Sequence, residues 1–367
     1  MQGNILGQSS ANIISSFVKI YQQPTEPSKK DGVWIKTNEI TKNIYYQDDA
    51  ERTIKGLNSL PYTFMYGAVT YANEAIYLIG GQDHGNDMYK YNIVDNVFAK
   101  LSDIPYNFYE GVVESIDNNI YLIGSRGSKN SMYKYDTEEE TYTKLSNIPY
   151  SFHSGATAHV INDIYLFGTM ESSYAKTAYK YDIEEGIYTK IANLPNEAFE
   201  GTAYSISEDD IIIFGIKSLW DSELYEVYDY NITQNQYVSK NTTFINYSFA
   251  AKINNCIYIQ IKGMTMNPLS KYNSRSNSIY QYSLSVSDCD EGIVAVNNKL
   301  YGLTQAHIRI LETKINNLGD GLYIILNENY LNSNIDTAIV DIKKIISGEE
   351  QSIEAYIGNG IEWKLLN

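Results

Sequence analysis

Four apolar residues followed by a glycine recur along the chain at a fixed interval. Ile76-Tyr77-Leu78-Ile79-Gly80, Ile120-Tyr121-Leu122-Ile123-Gly124 and Ile164-Tyr165-Leu166-Phe167-Gly168 are separated by 44 residues each. A weaker copy, Ile211-Ile212-Ile213-Phe214-Gly215, follows 47 residues later, and Ile257-Tyr258-Ile259 and Leu300-Tyr301-Gly302 continue the series. Each of the first four runs is preceded by an apolar stretch opening after a glycine, at Gly67, Gly111, Gly155 and Gly201. Each is followed by an alternating segment: Met88-Tyr89-Lys90-Tyr91, Met132-Tyr133-Lys134-Tyr135, Ala178-Tyr179-Lys180-Tyr181 and Val227-Tyr228-Asp229-Tyr230. An aromatic stands seven residues after the last Tyr, at Phe98, Tyr142, Tyr188 and Tyr237, and three copies close on Pro105, Pro149 and Pro195. Short runs of β-branched and aromatic residues bounded by Gly, Asn, Asp and Pro predict strands, four to a unit. About six such units in tandem predict an all-β chain folded as a β-propeller, most simply of six blades.

The glycine-ended second strand, the Tyr-bearing third strand and the aromatic seven residues on resemble a kelch repeat, over roughly residues 44 to 310. Only the first copy keeps a Gly-Gly doublet, Gly80-Gly81, where the others read Gly124-Ser125, Gly168-Thr169 and Gly215-Ile216. Phe or Tyr replaces the family's strand-four Trp throughout. The resemblance implies a kelch-type propeller and leaves the activity open.

The boundaries follow from where the repeat starts and stops. Residues 1–43 form an N-terminal attachment segment and linker, with Gln22 to Lys30 a linker by composition. Residues 44–312 form the propeller, and 313–367 a C-terminal β-rich segment. Ile44-Tyr45-Tyr46-Gln47 and Leu60-Pro61-Tyr62 read as N-terminal strands that close the ring against Gly292 to Thr304, removing open sheet edges. The fifth copy is short after Tyr282 and is expected to lack its outer strand. Leu322 to Leu326 is strand-like, and Ile353 to Lys364 reads as a hairpin across Gly358-Asn359-Gly360.

The two ends carry a second resemblance. A closing Tyr-Ile-Gly-Asn-Gly-Ile-Glu-Trp-Lys, with an early Pro24-Thr25-Glu26-Pro27 and Asp31-Gly32-Val33-Trp34-Ile35-Lys36-Thr37, is similar to tail-fibre and receptor-binding proteins of phages and phage-tail-like particles of low-GC Gram-positive bacteria. The resemblance implies attachment or oligomerisation modules at the flanks and a host-binding module between them. Its expected partners are tail or baseplate proteins, further copies of the chain, and a bacterial surface glycan or surface-layer protein. The expected location is a phage tail or extracellular particle, with synthesis in the host cytoplasm. The N-terminal Ile13 to Val18 is too short and interrupted for a signal-peptide core.

Charge narrows the choice. With 28 Lys and Arg against 44 Asp and Glu, a balance of −16, and no basic run, the chain is not built to grip nucleic acid by its phosphates. No apolar run approaches the ~20 residues of a membrane span, so no membrane insertion is expected. Glu138-Glu139-Glu140 reads as a solvated hairpin tip. The two cysteines, Cys256 and Cys289, imply no disulfide framework and read as structural thiols.

A search for chemistry leaves the aromatic loops as the main candidates. The four histidines have no ligand spacing, and no zinc, calcium, phosphate-loop or nucleophile-elbow motif occurs, so no cofactor or metal is expected. Nor do the residues match the copper centre of kelch-type oxidases. In a four-stranded meander the strand two-to-three and the blade-to-blade connections emerge on one face. That face collects Tyr62, Tyr66, Tyr106, Tyr109, Tyr150, His153, Phe199, Trp220, and Tyr272 and Arg275 from the long Lys262–Ser278 stretch. Tyr and Trp combine an apolar face with a polar tip, which suits a sugar or a protein surface. Glu110, Glu200 and Glu291 precede the glycines that open strand one, near the channel mouth. Glu110 and Glu200 are counted among the ligand-binding candidates, and convergent carboxylates there also fit a second reading, a carbohydrate-active enzyme.

Overall fold

The computed structural model describes residues 19–29, 32–38, 44–48, 52–217, 224–245, 249–253, 256–260, 268–274, 277–285, 291–296, 299–313, 321–326, 339–346, 349–351, 354–358 and 363–365. Among them the chain is all-β, with one 3₁₀ turn at Ser172–Tyr174, and its repeats form four-stranded antiparallel sheets in an arrangement consistent with a β-propeller. The first sheet is Ala68–Ala72, Ala75–Ile79, Met88–Asn92 and Val97–Lys100; the second is Val112–Ile116, Asn119–Ile123, Met132–Asp136 and Thr141–Lys144. The third is Ala156–Val160, Asp163–Phe167, Ala178–Asp182 and Ile187–Lys190; the fourth is Ala198–Ser205, Asp210–Lys217, Leu224–Asn231 and Gln236–Ile245. The fifth is Phe249–Ile253, Cys256–Gln260, Pro268–Asn273 and Ser278–Ser285. The sixth joins Gly292–Val296, Lys299–Leu303 and His307–Thr313 to an N-terminal strand, Arg52–Ser59. First strands touch in sequence from sheet to sheet, and that of the sixth touches that of the first.

The unbroken apolar runs are second strands buried on both faces. Strand side chains alternate between faces, so Ile76 and Leu78 pack toward the sixth sheet while Tyr77 and Ile79 pack toward the second. Ile120 and Leu122 likewise join the core shared with the first sheet, and Tyr121 and Ile123 that shared with the third. Every pair of successive sheets has such a core, including the sixth with the first, where Tyr301, Leu303 and Ile308 meet Ile76, Leu78 and Phe64.

The seven-residue spacing is a cross-strand pair. Tyr91 faces Phe98, Tyr135 faces Tyr142 and Tyr181 faces Tyr188, each with ring centroids 4.7 Å apart. The strand-four ring then reaches back to the preceding sheet: the Tyr142 hydroxyl lies 2.9 Å from Met88 Sδ and donates to Ser102 O, and Tyr188 repeats both contacts with Met132 and Ser146. Gly124 ends its strand at φ +58°, where a Cβ would stand 2.1 Å from Phe152 O of the next connection. In place of the second glycine, the fully buried Ser125 donates to Asn107 O at 2.7 Å and accepts from Gly127 N at 3.0 Å. Thr169 does the same for His153, donating to its carbonyl at 3.1 Å.

Three expectations change. Ring closure uses one N-terminal strand, Arg52–Ser59, rather than two: Leu60 to Tyr62 lie past its end, and Ile44–Asp48 pairs in parallel with Gly321–Leu326. The propeller-like sheets therefore begin after residue 51, and 44–48 belong with the C-terminal flank. The fifth sheet keeps its outer strand, Ser278–Ser285, because strand three is Pro268–Asn273. Its Tyr272 faces Ile279 where other copies carry an aromatic, so the seven-residue signal fails there. Finally, Gln22 and Gln23 end a strand, Lys19–Gln23, rather than opening a linker.

The flanks form two more sheets built from both ends of the chain. Lys19–Gln23 and Gly32–Lys36 join Glu354–Gly358 and Trp363–Leu365; Ile44–Asp48 joins Gly321–Leu326, Ile339–Ile346 and Glu349–Gln351. Trp34 pairs with Tyr356, their rings stacked at 4.6 Å, and Trp34 Nε1 donates to Gln23 O. Glu354–Gly358 pairs antiparallel with Trp363–Leu365, as expected of a hairpin.

Candidate functional site

The two-to-three and sheet-to-sheet connections share one face. On it the residue before the strand-one glycine adopts left-handed backbone in the first four sheets, at Tyr66, Glu110, Ser154 and Glu200. Backbone bonds join them in series, Glu110 N to Tyr66 O at 2.8 Å, Ser154 N to Glu110 O at 2.9 Å and Glu200 N to Ser154 O at 2.6 Å. Glu291 extends the series through its carboxylate, which lies 3.4 Å from Tyr66 N and accepts from Gln305. Left-handed geometry costs a non-glycine residue about 1 kcal/mol or more, and this ladder of bonds holds it.

Three of the expected ligand contacts have partners within the protein. The Tyr62, Tyr106 and Tyr150 hydroxyls donate to the carbonyls of Gly80, Gly124 and Gly168, at 2.8, 3.4 and 3.5 Å. Tyr106 stacks on Tyr133 and Tyr150 on Tyr179, at 5.1 and 5.4 Å. Burial pushes the Tyr62 phenol up and those of Tyr106 and Tyr150 well above their ordinary value; Tyr150 is only 3% exposed. Tyr272 is also withdrawn: it is fully buried in strand three, donates to Asn277 Oδ1 at 2.8 Å, and its phenol is pushed up to about 12 by burial. Trp220 and Arg275 lie outside the described residues, as does Cys289.

The remaining candidates stay on the accessible face. Tyr66 is 45% exposed, Tyr109 half-buried, and Glu200 exposed. Phe199 is half-buried beneath Lys217 Nζ, 4.6 Å from its ring centre.

His153 and Glu110 come together, with partners that the sequence did not single out. His153 is 5% exposed and sets Nδ1 3.5 Å from Glu110 Oε2 and Nε2 3.2 Å from Glu171 Oε1. Arg126 Nη1 lies 3.1 Å from Glu110 Oε1, and Lys129 pairs with Glu171. The Lys129 ammonium, followed by His153, holds the Glu171 carboxyl below its ordinary value. The result is a continuous network, Arg126–Glu110–His153–Glu171–Lys129, drawn from four connections around the second and third sheets.

Beside it stands the loop from Gly168 to Ala178, two residues longer than its counterparts, Gly80 to Met88 and Gly124 to Met132. The extra length forms the 3₁₀ turn and leaves Met170 49% and Tyr174 41% exposed. That stretched interval was the sequence signal for this loop. Deeper along the first strands, His159 Nδ1 lies 3.2 Å from Glu114 Oε2 of the second sheet, and this carboxylate raises the imidazole above its ordinary value. Among the described residues no group of three or more His, Cys, Asp or Glu is disposed to hold a metal ion.

No family model matches the chain, and no curated protein matches its sequence.

Proposed function

We propose that the chain is the host-recognition protein of a phage tail or phage-tail-like particle, a six-bladed kelch-type propeller that presents its loop face to a bacterial surface glycan or surface-layer protein. One observation carries the reading: the chain enters and leaves opposite the loop face. In the first four sheets strand three passes to strand four through a tight hairpin on the far side. In the sixth sheet Arg52 and Thr313 are paired at that end, so both flanks depart from there. A head whose accessible face points away from its own tethers suits a particle that must touch a cell.

The flank motifs behind the tail-fibre resemblance support it further, because Val33, Trp34, Ile35 and Lys36 pair directly with Ile357, Tyr356, Ala355 and Glu354. In this reading they form the attachment module, which joins tail or baseplate proteins and further copies of the chain. Several copies per particle convert weak single contacts into firm attachment. The test is retention of the purified full chain on washed Gram-positive cells, beside its mass in solution by light scattering. Retention on a subset of strains by an oligomer is expected; a monomer that leaves every strain bare overturns the proposal.

A further inference from the structure

The Gly168–Ala178 loop carries side chains that the repeat does not require. Its backbone is tied at both ends: Met170 N donates to His153 O at 3.1 Å, Tyr174 N to Glu171 O at 2.8 Å, Thr177 N to Tyr174 O at 2.8 Å and Ala198 N to Ala175 O at 2.9 Å. The Tyr174 ring leans on Tyr150 at 5.8 Å, and Tyr150 is itself stacked on Tyr179. An exposed aromatic is thus held rigid from beneath, which lowers the ordering cost of a partner stacking above it.

Glu171 sits one turn before that ring. Lys129 and His153 both engage its Oε1, and among the described residues no group bonds Oε2 on this 34% exposed side chain. Lys129 is itself 38% exposed, with donor capacity to spare. A flat apolar face, a fixed acceptor and a fixed donor therefore open side by side on the loop face.

We propose that this loop is a sugar-binding subsite, in which a pyranose ring stacks on Tyr174 beside Met170, one hydroxyl donates to Glu171 Oε2 and another accepts from Lys129. The inference rests on the host-recognition reading and narrows it to a glycan. A protein partner would call for a contiguous apolar anchor. The rings of the sheet-to-sheet connections, Tyr62, Tyr106, Tyr150 and the fully buried Phe64, Phe108 and Phe152, are packed within and between sheets. What remains is scattered aromatics among charges, which matches the amphipathic faces of a sugar.

The experiment measures binding of the labelled full chain to a panel of Gram-positive cells, untreated, oxidised with periodate to cleave vicinal diols, or shaved with protease. Periodate should abolish binding and protease should spare it. Tyr174→Ala and Glu171→Gln should each weaken binding by at least ~10-fold with unchanged circular dichroism, measured well below the thermal midpoint of either variant. Val94→Ala, on the opposite face, should bind as the parent does. Binding that survives periodate and is lost to protease overturns the glycan inference and leaves host recognition standing. Parent-level binding by both loop variants overturns the subsite alone. A parent chain that binds no cell removes both proposals.

Discussion

The residues that replace expected glycines and tryptophans show how a divergent repeat keeps its geometry. Ser125 and Thr169 bridge a strand end to the preceding connection through buried hydroxyls, a function the Gly81 backbone performs by close approach, with Met65 O 3.1 Å from where its Cβ would stand. Ser125→Ala leaves Asn107 O and Gly127 N without that partner and should cost about 1–3 kcal/mol, read from urea denaturation. Gly124→Ala meets both a left-handed φ and the Phe152 carbonyl, and should cost about 2 kcal/mol or more by the same measurement. Gly186, also at positive φ but with only ordinary contacts for a Cβ, Ser146 Oγ at 3.7 Å and Tyr181 Oη at 3.8 Å, should tolerate alanine better, which separates backbone strain from steric collision.

At the level of elements, the second strand is the unit that couples neighbours. Leu122 is fully buried between the first and second sheets, so Leu122→Ala opens a cavity at one inter-sheet core and should destabilise by about 2–5 kcal/mol. The closing strand matters for a different reason. Arg52–Ser59 hydrogen-bonds along His307–Thr313, and a chain beginning at residue 60 exposes that strand's free edge. Such a chain should aggregate or melt earlier, whereas one spanning 52–313 should keep the cooperative transition of the six sheets; scanning calorimetry on the pair distinguishes them.

For the whole molecule, pH dependence has two limbs. The carboxyls of Asp87, Asp136, Asp209 and Glu171 are held below their ordinary values, by Lys100, by backbone N–H groups, by Thr233 and by Lys129 respectively. Their contribution is complete above the ordinary carboxylate range and is lost as pH falls through the lowered values. His159 is raised above 6.5 by Glu114, so its contribution is complete below 6.5 and fades as pH rises through the raised value. Thermal midpoints should therefore be highest in mildly acidic buffer, between about 5 and 6.5. His159→Gln should flatten the loss on the alkaline side of that maximum and leave the acid limb unchanged.

Local pattern determined the strands, their order within a repeat and the apolar second strand, because a strand buried on both faces must be continuously hydrophobic wherever the chain places it. The hairpin tip at Glu138–Glu140 and the cross-strand ring pair were legible for the same reason: both depend on near neighbours in sequence. What only tertiary structure decided was which rings stay free. Tyr66 and Tyr150 are both expected on the loop face, yet one ends a left-handed turn in solvent and the other is clamped between sheets by Tyr179 and Gly168. Meetings across connections join His153 to Glu110 of the neighbouring repeat, 43 residues back, and to Glu171 of the next connection, while Trp34 meets Tyr356 across a separation that carries no periodic trace. They arise from closure of the sheets on one another, which no single repeat encodes.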